Sequence, residues 1–446
     1  MIDKIPFLKN HLSADLREII NGASIAFILK VIGAGFSFGF SVLLARQFGA
    51  DGAGIYYLSL TVINIGTIIG RRGLGNSLIR FIAGNVATEN WSAVKGVYQE
   101  AMRLALLTAI VTSAAVFIFA SWLAEGIFLK PEVAPSLRWM SLSILPTTIF
   151  MLHAEAFKGL KRIRDSQLVD GLGLPFLSFL GLYILNGTWD ILGAVWAYTL
   201  STFLVGFIAI WLWHTSIPQL KSVRGTFYKL ELLKSSTPLF WVTIMQFISA
   251  RIATFFLGIW GTTADVGVFN IASRTTILIS YILLAVNSIA SPKIATFCQQ
   301  KDFESLRKSV VHIAQLMVLF AGPLLLIILS LPEQVMKLFG EEFIVGANLL
   351  IVLVIGQIIN LMTGPVGPLL AMSGNELALR NNLVVGSVIN VILGLLLIPS
   401  MGALGAAIAA SGSMLIFKLH ALVLVRYHLK IWSIPFNLDR SSSVQN

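Results

Sequence analysis

The sequence predicts an all-α integral membrane protein, with twelve transmembrane helices in two parallel six-helix repeats and both termini cytoplasmic. Three observations predict it: long apolar runs, a strong sidedness of basic residues, and an internal repeat. The chain is 446 residues long, 56% hydrophobic and only 12% charged, with a mean hydropathy of +0.84. Soluble domains carry about 25% charged residues.

A span needs about 20 mostly apolar residues. Twelve stretches qualify, at about 23–46, 52–72, 102–127, 136–157, 168–187, 191–213, 237–260, 266–291, 309–331, 345–372, 379–399 and 403–426. The second is closed by Arg71 and Arg72, with Gly73 and Gly75 after it. Pro146, Pro175 and Pro323 fall inside spans 4, 5 and 9, and Gly364-Pro365-Val366-Gly367-Pro368 interrupts span 10. Proline removes helical hydrogen bonds, and such breaks are tolerated in membrane helices and often mark hinges.

Orientation follows from the basic residues, which concentrate in cytoplasmic loops. Arg46, Lys130, Arg138 and Lys337 are the four on one side of the predicted spans. Twenty-four lie on the other side, with both termini. The net charge of +11 therefore reflects topology. Nucleic acid is not an expected partner, because the basic residues sit in short loops and form no stripe or motif. The single cysteine, Cys298, excludes a disulfide framework and a CxxC metal site. No cleavable leader is expected. Met1–Ile20 mixes polar and apolar residues, as an amphipathic stretch on the membrane surface would.

The repeat is legible at nearly one spacing. Leu192-Gly193-Ala194-Val195-Trp196-Ala197 recurs as Leu404-Gly405-Ala406-Ala407-Ile408-Ala409, an offset of 212. Gly54-Ile55-Tyr56 recurs as Gly267-Val268-Phe269, an offset of 213, and the same offset sets Arg80 on Lys293. Six spans per half is an even number, so both halves insert the same way up, about a pseudo-two-fold axis along the membrane normal. The expected organisation is a cytoplasmic segment 1–22, an N-lobe 23–213, a basic cytoplasmic linker 214–236 on the inner leaflet, a C-lobe 237–427 and a cytoplasmic tail 428–446.

Ionisable groups at bilayer depth cost about 2.5–3.5 kcal/mol on insertion scales. Lys30, Arg251 and Arg274 are three of one sign, with few acids at similar depth. They imply a cationic cavity and an anionic cargo.

The residues also resemble a known family. Leu44-Ala45-Arg46-Gln47-Phe48-Gly49-Ala50-Asp51-Gly52-Ala53-Gly54-Ile55-Tyr56 resembles the span 1–2 junction of the oligosaccharidyl-lipid flippases. Gly73-Leu74-Gly75 with Ile79-Arg80-Phe81 is similar to the stretch ending their second span, and Ala156-Phe157-Lys158-Gly159-Leu160 to the end of their fourth. These are the polysaccharide transporter branch of the MOP superfamily, with O-antigen (Wzx-type) flippases the nearest likeness. The resemblance covers the whole chain in span number, repeat and loop lengths. It implies a MATE/MOP-like fold in the cell inner membrane. It further implies movement of undecaprenyl-pyrophosphate-linked sugar repeat units from the cytoplasmic to the periplasmic leaflet, by alternating access through a gap between two lobes. The implied partners are a lipid-linked oligosaccharide and membrane lipids, with a polysaccharide polymerase and chain-length machinery beside them.

On that reading Arg251, about fifteen residues into span 7, and Arg274, about eight into span 8, grip pyrophosphate through bidentate guanidinium contacts. The alternative is an ion pair with a carboxylate, chiefly Asp265. Lys30 lies about eight residues into span 1, roughly 10–12 Å deep. It lines the cavity or snorkels to cytoplasmic phosphates. Gly33, Gly35 and Gly39 beside it leave room for a ligand or for tight packing. Arg71, Arg72 and Arg80 are either a capture site for pyrophosphate at the inner mouth or ordinary positive-inside residues. His153 and Glu155 are either a proton relay or interface residues. Gln246, Asn270, Asn287, Gln357 and Asn360 suit sugar hydroxyls or helix packing, and Lys418 reads as a snorkelling residue.

Two other readings compete. A multidrug extruder of the same superfamily exports cations and relies on a carboxylate in its first half. Span 1 here has Lys30 and no acid. A membrane glycosyltransferase, polymerase or ligase needs a sizeable external loop, and the predicted ones are short. Lipid II flippases resemble the chain but usually carry two further spans. No Walker A sequence appears, so neither ATP nor any other cofactor is expected.

Overall fold

The computed structural model describes residues 14–185, 189–226 and 229–435. The expected surface stretch Met1–Ile20 lies outside them for its first thirteen residues, and the cytoplasmic tail does from residue 436. The described elements are helical. They are α1 (Ala14–Arg71), α2 (Leu74–Ala87), α3 (Trp91–Ile118), α4 (Val133–Gly159), α5 (Ile163–Ile184), α6 (Asp190–Ser216), α7 (Lys229–Trp260), α8 (Thr263–Gln300), α9 (Phe303–Ser330), α10 (Ala347–Met362), α11 (Val366–Met372) and α12 (Glu376–Leu429).

Among the described residues, 10 helical stretches are long and apolar enough to cross a membrane. The two longest each contain two of the predicted spans. α1 has 58 residues and α12 has 54, so at 1.5 Å per residue they would reach about 87 and 81 Å, against a hydrocarbon core of about 30 Å. One glycine interrupts each: Gly49 (φ 67°, ψ −169°) and Gly402 (φ 55°, ψ −131°). A positive φ costs glycine nothing and any other residue a good deal.

In α12 the chain doubles back at that glycine. A Cβ on Gly405 would stand 3.1 Å from the Ile398 nitrogen, although residues seven apart in a straight helix lie about 10.5 Å apart. Further along the arms, Asn382 Nδ2 donates to Phe417 O at 3.1 Å, and His420 Nδ1 meets Asn382 Oδ1 at 2.7 Å. α12 is thus a hairpin of two antiparallel helical arms with almost no loop.

The proline-rich break in span 10 is also real. α10 ends at Met362, Gly364 takes φ 66°, Pro365 caps α11, and Ser433 Oγ donates to the Thr363 carbonyl at 2.7 Å.

The chain forms two compact units. Unit 1 comprises residues 1–48 and 58–244. Its core is ordered by α2, whose Leu74, Leu78 and Ile82 are fully buried at a four-residue spacing that makes one apolar stripe. The stripe belongs to a cluster with Val94 and Val97 of α3 and Phe150 and Phe157 of α4. Tyr98 stacks on Trp213 with centroids 4.2 Å apart.

Unit 2 comprises residues 49–57 and 245–446. Its first segment, the turn at Gly49, is held by two acids. Ala50 N donates to Glu342 Oε2 at 2.9 Å, and Thr263 Oγ1 donates to Asp51 Oδ1 at 2.5 Å.

Unit 1 extends into α7 as far as Ile244. The physical reason is packing. The start of α7 lies against Gly73 (φ 72°), where a Cβ would stand 2.5 Å from Phe240 N, and Ser77 Oγ donates to Ser235 Oγ at 3.1 Å. The connection itself is tied down, since Lys95 Nζ donates to Leu220 O at 2.7 Å and to Val223 O at 2.8 Å.

Candidate functional site

Unit 2 holds an open-sided cavity of about 430 Å³ between α7, α8, α10 and both arms of α12. Arg251 of α7 and Lys418 of α12 both line it, and no aspartate or glutamate does. Arg251 stands nine residues before the end of α7, about 14 Å along the helix, well inside the span. Among the described residues, no carboxylate lies within ion-pairing distance of Arg251 or Lys418.

Amides and hydroxyls complete the wall. Thr254 Oγ1 donates to Asn270 Oδ1 at 3.3 Å, while Asn270 Nδ2 donates to Val266 O at 2.8 Å. Gln357 Oε1 accepts from Asn360 Nδ2 at 3.2 Å and from Ser280 Oγ at 3.4 Å. Asn390 Nδ2 donates to Ser249 O at 3.0 Å. A buried polar group needs partners, and these bonds hold the amides in fixed orientations around the space. Gly386 sits against the Phe417 ring, where a Cβ would fall 3.1 Å from it. That close approach lets the two arms of α12 frame one side of the cavity.

Arg274 belongs to the same electrostatic neighbourhood. Its charge acts on Arg251. The guanidinium of Arg274 lies 4.6 Å from the centre of the fully buried Tyr57 ring. A cation over a desolvated aromatic face gains about 2 kcal/mol. Arg274 is not itself among the residues that line the cavity. Asp265, the acid considered as a partner for them, is engaged elsewhere. It forms a capping box with Thr262, accepting from Thr262 N at 2.9 Å and Thr262 Oγ1 at 2.8 Å.

The other predicted residues lie in unit 1. Lys30 is exposed on α1, among the exposed apolar side chains Phe27, Ile28, Val31 and Ile32. Arg71 ends α1, half-buried, with Glu155 and Asp170 as its charged neighbours. Arg72 (φ 48°) and Arg80 are exposed, and Arg80 lies 5.9 Å from the Phe81 ring centre. Glu155 pairs with Lys158 at 3.1 Å. His153 is buried, with Nε2 3.0 Å from Tyr98 Oη and Nδ1 2.8 Å from Ile149 O, so both ring nitrogens are engaged within the protein.

Lys418, Asn390 and Tyr57 are the site residues that sequence reasoning missed. Depth along a span told how far Lys418 is from the surface, but not which way it faces. The signal lay in the helical period: Ser411, Met414 and Lys418 recur at three and four residues and share one face, and all three line the cavity.

The family described as polysaccharide biosynthesis protein matches residues 19–297. The chain belongs to that family. A second family, MatE, matches residues 238–396. The chain is also 24% identical over 424 residues to the probable low-salt glycan biosynthesis flippase Agl15 of Haloferax volcanii, covering 93% of this chain and 84% of that protein. Among solved structures it is similar to the lipid II flippase MurJ in an inward closed conformation. There the TM-score is 0.74 at 15% identity, covering 91% of this family member and 87% of MurJ. It is equally similar to an inward-facing multidrug resistance MATE family transporter, with a TM-score of 0.74 at 14% identity over 92% and 98% of the two chains. A third likeness is a MOP superfamily transporter from Pyrococcus furiosus, described by a binding pocket of reverse polarity. It gives a TM-score of 0.65 at 15% identity over 93% and 95%. The family member is a multi-pass membrane protein of the MOP superfamily.

Proposed function

We propose that this protein is a flippase for lipid-linked oligosaccharides, and that Arg251, with Arg274 beside it, draws the phosphate-bearing end of the cargo through the membrane. The observation that carries this reading is the acid-free, cationic wall of the unit 2 cavity at membrane depth. Burying a charge in a span is costly, and a cation with no carboxylate beside it is stabilised by an anionic cargo. The likeness to a glycan biosynthesis flippase over most of both chains supports the cargo class.

On this reading α1 and α12 each count as two passes. With the other eight spanning helices they make twelve, in two lobes, with both termini cytoplasmic. The cargo is an undecaprenyl-pyrophosphate-linked repeat unit of O-antigen or another surface polysaccharide. It moves from the cytoplasmic to the periplasmic leaflet of the inner membrane by alternating access. Lys30, Arg71, Arg72 and Arg80 serve its entry, and Glu155 and His153 are the groups placed to respond to protons. A polymerase and chain-length machinery act on what the flippase delivers.

The test is reconstitution of the purified protein in vesicles with a fluorescent lipid-linked oligosaccharide, followed by an impermeant quencher. Transbilayer movement of the lipid is the expected result. Protein-dependent efflux of a lipophilic cationic dye, with no movement of the lipid, would sink this reading in favour of a cation exporter.

A further inference from the structure

The chain leaves α12 at Lys430, whose φ of 58° turns it off the helix axis. Arg426 fixes that turn: its Nη1 donates to Lys430 O at 2.6 Å, and its guanidinium lies 5.4 Å from the centre of the Trp432 ring. From there alternate side chains are buried, Ile431, Ser433 and Pro435, with Trp432 and Ile434 half-buried between them. A two-residue alternation is that of an extended segment lying on a surface. The surface here is the break in span 10, with α9 beside it. Ser433 is fully buried, and its Oγ donates to Thr363 O at 2.7 Å. A Cβ on Gly364 would overlap the Ser433 carbonyl oxygen and stand 3.3 Å from Ala314 Cβ. Gln315 Nε2 of α9 donates to Pro435 O at 3.4 Å.

The break is built as a hinge. Pro365 has no N–H, Gly364 takes φ 66°, and the backbone across them is held by turns: Gly364 N donates to Leu361 O at 3.2 Å and Val366 N to Gly364 O at 2.9 Å. Hinges are a few element-terminal residues that absorb large changes in φ and ψ. Gly364 is the residue here with that freedom, and the segment 430–435 removes it. One peptide plane beside Gly364 is held through the Thr363 carbonyl, and the space beside its Cα is filled by the Ser433 carbonyl. The hold reaches the cavity wall: Thr363 Oγ1 donates to Asn360 O at 3.1 Å, Asn360 Nδ2 donates to Gln357 Oε1 at 3.2 Å, and Gln357 lines the cavity. Among the described residues two hydrogen bonds tie the segment to other elements, so unseating it is a local opening that leaves the spans packed.

Resting on the flippase reading for the step it serves, we propose that residues 430–435 are a strap that locks the hinge of span 10 at residues 363–365, and that the strap lifts during each transport cycle to let α11 move against α10. Seated, the strap holds Gly364 in one conformation. Lifted, it frees Gly364 to change φ and ψ, and the change reaches Gln357 through Thr363 and Asn360.

The experiment uses the full chain with Cys298 replaced by serine. Gln315→Cys and Pro435→Cys set two thiols across the bond between the strap and α9, and a short bis-methanethiosulfonate joins them. In vesicles carrying a fluorescent lipid-linked oligosaccharide, the joined protein should stop translocating, and dithiothreitol should restore movement. A second arm needs no cargo. Thr363→Cys keeps the carbonyl that Ser433 holds, and its buried thiol should react slowly with a maleimide in the detergent-solubilised protein. Adding Ser433→Ala should speed that reaction about five- to tenfold, the factor expected when a local opening has one hydrogen bond fewer to break. Full translocation with the strap joined to completion would show a static anchor and overturn the proposal. Equal labelling of Thr363→Cys with and without Ser433→Ala, both proteins folded, would overturn it too. Failure of the untreated protein to move any lipid-linked glycan removes the flippase reading, and the labelling arm then decides the lock by itself.

Discussion

Gly54 and Gly267 lie back to back, each filling the space where the other's side chain would be. A Cβ on Gly54 would stand 3.1 Å from Gly267 N and overlap the Thr263 carbonyl oxygen; a Cβ on Gly267 would stand 3.0 Å from Gly54 N and overlap the Ala50 carbonyl oxygen. The contact is reciprocal, as an isologous two-fold contact is. These are the same two glycines that the internal repeat pairs at an offset of 213, and Ala50 and Thr263 stand at that offset too. The repeat in the sequence thus appears in space as a helix crossing with local two-fold character, where only small residues allow the backbones so close.

Gly54→Ala and Gly267→Ala should each destabilise the protein by about 1–3 kcal/mol or more, as overpacking does. Both widen one crossing, so the double variant should cost less than the sum of the singles. Thermal unfolding of the detergent-solubilised protein measures both effects. Unchanged stability in the two single variants would show that the crossing is loose.

Arg251→Ala or Arg274→Ala should reduce translocation of a lipid-linked glycan at least tenfold while protein level and insertion hold. Lysine at either position should restore only part of it, because an ammonium keeps the charge and loses the bidentate fork. Neutralising Asp265 should not rescue either variant, since that carboxylate belongs to the Thr262 cap. Full transport by the double alanine variant at normal protein level would remove both residues from the mechanism.

Accessibility checks the orientation. Ser166, in the first turn of α5, is fully buried and a poor labelling site, whereas Arg164 beside it is exposed. With Cys298 replaced by serine, Arg164→Cys should react with an impermeant maleimide only from the cytoplasm. Val345→Cys, at a residue 76% exposed, should react only from outside. Inverted labelling would overturn the topology drawn from the basic residues.

Asp302 caps α9, accepting from Ser305 N at 3.0 Å. The hydrogen bonds from Ser305 hold its carboxyl below the usual carboxylate range. A depressed folded value means its contribution is present above the unfolded value and is lost as pH falls through the folded one. Wild type should therefore lose part of its α9 stability in that acid window. Asp302→Asn, which keeps an acceptor but cannot titrate, should lack that component in thermal unfolding followed against pH.

Much of the site was legible. Residue type at predicted depth led to Arg251, which lines the cavity, and to Arg274, which does not. The facing of Lys418 was not, because a position along a span fixes depth while its azimuth depends on which neighbours pack around the helix. Tyr57 was invisible as a partner for Arg274, being 217 positions away and brought near only by the turn that Gly49 opens. Ser166 falls between predicted spans 4 and 5 and is nonetheless buried, because Arg162 clamps that turn by pairing with Asp165 at 2.5 Å and donating to Ser216 O.

The sequence by itself determined that the chain is helical and crosses a membrane many times. Burial of apolar runs in lipid and the need to satisfy every backbone group within a span leave no other solution for so apolar a chain. Tertiary structure alone decided where a cavity lies within a compact unit, which cations face it, and that Asp265 is spent on a helix cap. Those are pairings between residues far apart in the chain. They depend on how close two backbones come, as at Gly54 and Gly267, and no local pattern of hydropathy or charge encodes that distance.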